Sequence, residues 1–63
     1  MKFEPGDLVT VDIPYDTRWH GLVGIVQGLS QLQGMRLPNY YVTFVKTGYR
    51  MIVNEDELKK VEE

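Results

Sequence analysis

Histidine, cysteine and clustered acids carry most side-chain chemistry in proteins, and this sequence has few of them. His20 is the only histidine and there is no cysteine. A dedicated zinc site draws three or four ligands from such residues, so none is expected, and cysteine nucleophiles are excluded. A hydrolytic triad built on His20 has to recruit from Asp12, Asp16, Thr17 or Ser30, and no motif frames these residues. Glu55-Asp56-Glu57 is too short an acidic run for a calcium loop, which also requires a glycine at a fixed offset. Gly21, Gly24 and Gly28 do not make the Gly-x-Gly-x-x-Gly pattern that cradles a phosphate. The expectation is therefore a non-enzymatic domain with no metal and no cofactor.

Recognition is better represented than catalysis. Tyr15-Asp16-Thr17-Arg18-Trp19-His20 places two aromatics and an arginine in one polar segment between Pro14 and Gly21. Large aromatics are costly to leave in water, and Trp, Tyr and Arg are the types enriched at binding hot spots. Tyr15, Arg18, Trp19 and His20 are accordingly candidate contact residues. Two roles for Trp19 stand open: a contact residue in the loop, or a lid folded back over one end of a small core. Tyr15 could likewise plug that end.

These residues need elements to position them. Leu8 to Ile13 alternates, with Val9, Val11 and Ile13 on one face, and Pro14 denies the ladder an N–H. Gly21 to Leu29 is apolar on both faces, and its interior glycines mark bends or close backbone approach. Residues 30–38 lack periodicity and read as a loop. Tyr40 to Lys46 alternates again, with Tyr40, Val42 and Phe44 together. Asn54 and Glu57 match the spacing of a capping box, which predicts one helical or 3₁₀ turn with Leu58 tucked inward. Lys59 to Glu62 then supplies a short last strand with Val61 buried. The expected core is Val9, Val11, Leu22, Val26, Leu29, Val42, Phe44, Met51, Val53, Leu58 and Val61.

The turn at Lys46-Thr47-Gly48-Tyr49 sets a register. Read as a two-residue hairpin with Gly48 at positive φ, it pairs Val45 with Arg50, Phe44 with Met51, Thr43 with Ile52 and Val42 with Val53. Tyr41, Thr43, Val45, Arg50 and Ile52 then face outward as an apolar stripe with one arginine. Tyr41, Val45, Arg50 and Ile52 join the candidate contact residues. The stripe suits a protein partner or a second copy of the chain, unless Leu32, Met35 and Leu37 of the long loop cover it.

The chain has 63 residues and a formal net charge of −2. That is one domain, residues 1–63, of a size that buries only about 60% of the surface exposed by its unfolded chain. Residues 55–63 hold five acids and two lysines, a pattern that reads as a solvated tail. The charge disfavours a generic nucleic-acid binder, which shows a basic face. No apolar run approaches the roughly 20 residues of a membrane span, and no signal peptide is evident. A protein of the cytoplasm or an equivalent interior compartment is expected.

Phe3-x-x-Gly6-Asp7-x-Val9-x-Val11 followed by Gly21-x-x-Gly24-x-Val26 resembles the opening of KOW and SH3-like small barrels. The C-terminal barrel of the nitrile hydratase β subunit shares the Gly-Asp-x-Val-x-Val part. Pro38-Asn39-Tyr40-Tyr41-Val42-Thr43-Phe44 through Glu55-Asp56-Glu57-Leu58 resembles the variable chain of ferredoxin–thioredoxin reductase, and related barrels are peripheral subunits of photosynthetic complexes. The resemblance implies an all-β fold: a single five-stranded antiparallel SH3-like barrel with one 3₁₀ turn before the last strand. It also implies an accessory subunit that docks on a larger protein complex. A KOW-type RNA- or ribosome-associated protein is the alternative, with Trp19 and Tyr15 stacking on bases beside Arg18. The Tyr15–His20 loop matches no motif of these families.

Overall fold

β-branched and aromatic residues in alternation favour the pleated, half-buried surface of a strand, and each such run here becomes one. The computed structural model describes residues 2–30 and 38–61. In chain order the strands are β1 (Leu8–Val11), β2 (Val23–Ser30), β3 (Asn39–Phe44), β4 (Arg50–Asn54) and β5 (Leu58–Lys60), with a 3₁₀ turn at Glu55–Glu57 before the last. They form one antiparallel sheet in the order β4-β3-β2-β1-β5.

The sheet is open. Among the described residues β4 pairs only with β3 and β5 only with β1, so the two end strands share no ladder. The expected SH3-like barrel is therefore not formed, although the five antiparallel strands and the 3₁₀ turn are. Closure requires the end strands to hydrogen-bond with a matching stagger. β5 is three residues long and spends its ladder on β1.

Alternation sends one set of side chains to a common face. Val9, Val11, Val26, Val42, Phe44, Val53 and Leu58 are buried there as expected, joined by Phe3 and Tyr40. Leu22 and Met51 are half-buried against this cluster. Leu29 is 39% exposed, which departs from its expected place in the core. The β2–β3 register slips between Val26 and Gly28, leaving Gln27 as a bulge. Val61 is half-buried, and the last strand ends before it.

The hairpin between β3 and β4 also departs from expectation. Val42 lies opposite Met51, and Tyr40 opposite Val53. The Phe44 N–H donates to the Tyr49 carbonyl at 2.8 Å and the Gly48 N–H donates to the Phe44 carbonyl at 2.8 Å. The loop thus holds Val45, Lys46, Thr47 and Gly48 rather than two residues. The pairing is displaced by an even number of residues, so every side chain keeps its expected face. Gly48 has φ +72°, as the turn requires. Asn54 precedes the 3₁₀ turn with extended backbone, and its side chain makes no capping bond.

Phe3 reaches the core through a polar anchor. Its ring meets Tyr40 edge-on at 5.4 Å. The buried Tyr40 hydroxyl donates to Glu55 Oε2 at 2.5 Å and accepts the N–H groups of Lys2 and Phe3 at 3.2 and 3.4 Å. One hydroxyl thus ties the N-terminal segment to β3 and to the 3₁₀ turn. Burial, and then the Glu55 hydrogen bond, raise the Tyr40 pKa, while the hydrogen bond from Tyr40 lowers that of Glu55.

Candidate functional site: an apolar cleft beside Trp19

The loop from Asp12 to Leu22 is built by its own backbone. The Asp16 carbonyl accepts the N–H groups of Trp19 and His20 at 3.2 and 2.9 Å, and Asp16 Oδ1 accepts the Arg18 N–H at 3.1 Å. Gly21, at φ +86°, turns the chain back so that Gly21 and Leu22 exchange hydrogen bonds with Val11. Within this frame Trp19 points at the sheet. Its ring is stacked over Phe44 at 5.9 Å and over Tyr49 at 6.4 Å. It is half-buried against the core cluster, the packing of a lid.

The other loop candidates point away. Tyr15 is 85% exposed and does not plug the core. Arg18 and His20 are exposed, with His20 Nδ1 4.0 Å from an Asp12 carboxylate oxygen. Ser30 is buried at the far end of β2, opposite Asn39, so no serine stands near this pair. Among the described residues no group of three or more His, Cys, Asp or Glu could hold a metal ion.

The outer-stripe candidates are divided between two places. Tyr41, Arg50 and Ile52 lie on the outer face, where the Arg50 guanidinium sits 5.7 Å from the centre of the Tyr41 ring. Tyr41 and Arg50 are exposed and Ile52 is half-buried. Leu32, Met35 and Leu37 fall outside the described residues. Val45, 53% exposed, belongs to the hairpin loop instead. There its N–H donates to the Val23 carbonyl at 3.1 Å, and Val45, Leu22, Val23 and Phe44 line a cleft of about 340 Å³ that Gly21, Lys46 and Thr47 complete. A smaller cavity of about 210 Å³ adjoins it along Trp19 and Tyr49. Both share Leu22, Phe44 and Thr47.

No family model matches this chain, and no curated protein and no solved structure matches it. The resemblances to KOW domains and to the reductase variable chain therefore have no support, and the open sheet removes the fold they implied.

Val45 and Trp19 are legible in the sequence as contact candidates, but on different surfaces. Leu22 and Phe44 read there wholly as core. The cleft brings Val45, Lys46 and Thr47 of the four-residue loop together with Gly21 and Leu22. A two-residue turn does not predict that grouping.

The lining of the cleft is mainly apolar. Lys46 is its one charged lining residue. A volume near the lower end for ligand pockets fits one or two side chains rather than a cofactor.

Proposed function

We propose that this domain is a non-catalytic protein-binding module whose cleft between Leu22 and Val45 seats an apolar side chain of a larger partner. The observation that carries the reading is the cleft itself, a preformed apolar hollow of about 340 Å³ on a domain with few residues to spare. Exposed Tyr49 lines the adjoining cavity beside Trp19, and it is of a type enriched at interfaces. The nucleic-acid alternative lacks a comparable feature, since the cleft presents a single cation and the chain is net acidic.

The test is selection of displayed peptides on the immobilised domain, counter-selected on Val45→Asp. Sequences retained by the wild type and rejected by the variant are expected to share a large apolar residue. Enrichment that ignores the variant contradicts the reading, as does preferential capture of single-stranded RNA.

A further inference from the structure

An open sheet has two end strands, and this one treats them differently. β5 is short and carries Lys59 and Lys60, both exposed, a common protection against strand pairing. β4 reads Arg-Met-Ile-Val-Asn, with no lysine and no proline. Its ladder to β3 uses alternate residues. The Phe44–Tyr49 and Pro38–Glu55 bonds fix the phase, so Met51 and Val53 turn their backbone groups inward. The N–H and C=O groups of Arg50, Ile52 and Asn54 therefore face away from β3, and among the described residues no strand pairs with them there.

A hollow of about 180 Å³ adjoins β4. Met51, Ile52 and Val53 line it beside the core residues Val11 and Phe44. Ile13 and Trp19 also line it, with the acids Asp16 and Glu57. Among the described residues neither carboxylate has a cation within ion-pair distance.

We propose that this edge accepts an extended segment of a partner protein as an added strand on β4, with apolar side chains over Met51 and Val53 and a lysine or arginine directed at Asp16 and Glu57. Main-chain hydrogen bonds supply affinity in such strand addition, and alternate side chains supply specificity. The two carboxylates select a basic segment over an acidic one. Ile13 and Trp19 already occupy part of the hollow's lining, and this favours a single extended chain over a second copy of the whole domain. The inference goes beyond the cleft, because it is read at different amides.

The experiment is amide exchange and chemical-shift mapping of the labelled domain. The probes are synthetic peptides of about eight residues, a strand's length, alternating valine or isoleucine with lysine and threonine. Slowed exchange at Arg50, Ile52 and Asn54 is expected with these peptides. It should be absent when lysine is replaced by aspartate, or when alternate peptide amides are N-methylated. Asp16→Asn and Glu57→Gln should each weaken the lysine peptides by about two- to fivefold while leaving the melting temperature in place. Failure of every lysine peptide to protect those amides overturns the proposal, as does equal binding of the N-methylated or aspartate forms. Protection that grows with domain concentration in the absence of peptide also overturns it, in favour of a second copy. Shifts confined to Leu22 and Val45 would overturn strand addition while leaving the cleft reading intact.

Discussion

Trp19 lies nearly parallel to Phe44, with ring centroids 5.9 Å apart and an interplanar angle of 25°. The contact joins the loop before β2 to the end of β3, and it forms one wall of the cavity beside the cleft. A stacked aromatic pair adds about 0.5–1.5 kcal/mol beyond the area it buries. The indole therefore holds the loop in place and lines the cavity beside the cleft at the same time.

Trp19→Ala should destabilise the domain by about 2–4 kcal/mol, somewhat less than for a wholly buried tryptophan. Trp19→Phe should recover a good part of the loss, because a ring at that position still covers Phe44. Thermal and urea melts of the two variants measure both effects. An alanine variant that melts with the wild type would mean that the indole does not pack on the core.

Gly24 and Gly28 stand in the same strand and should respond oppositely to alanine. A Cβ at Gly24 would lie 2.5 Å from Val42 Cγ1 and 3.1 Å from the Thr43 carbonyl oxygen. Gly24 sits between Val9 and Phe44 in the ladders, where the larger neighbours fill the space above it. Gly24→Ala should cost about 1–3 kcal/mol, the usual range for overpacking. At Gly28 no described atom would come within 4 Å of an added Cβ, and its φ is not positive. Gly28→Ala should be neutral or slightly stabilising, and equal melting temperatures for the two variants would contradict this account of Gly24.

Burial of Tyr40 and its hydrogen bond to Glu55 make stability depend on pH at both extremes. The Glu55 carboxyl titrates below its ordinary value of 4.5 in the folded chain. Its contribution is complete above that value and is lost as pH falls through the lowered one. The Tyr40 hydroxyl titrates above its ordinary 10.0, so its contribution is complete below pH 10 and is lost as pH rises through the raised value. Tyr40→Phe should lower stability at neutral pH by about 1–2 kcal/mol and reduce both losses. Urea titrations from acid to alkaline pH measure this. A phenylalanine variant with an unchanged pH profile would show that other groups set it.

Alternation and turn chemistry made the strands, the 3₁₀ turn, the positive φ at Gly48 and most of the buried face legible in the sequence. The face of each residue in β3 and β4 was readable even though the pairing was displaced, because parity survives an even shift. Closure was not readable. It depends on whether β4 and β5 meet, and no local pattern encodes that. Leu29 fitted the core by hydrophobicity alone, and nothing in the sequence announced the bulge at Gln27. Tyr40 was legible on the face of Val42 and Phe44, though not as a member of the core, and Phe3 was missed. Phe3 is held there through the Tyr40 hydroxyl and Glu55, a long-range contact that no local pattern announces.

The central claim is that the cleft between Leu22 and Val45 binds an apolar side chain of a protein partner. It is tested most directly by titrating a selected peptide into the labelled domain and mapping the amide shifts. The account predicts perturbations concentrated at Gly21, Leu22, Val23, Val45, Lys46 and Thr47, and their loss in Val45→Asp. Perturbations centred instead on Thr10 and Lys59, or an unchanged response from the variant, would contradict it.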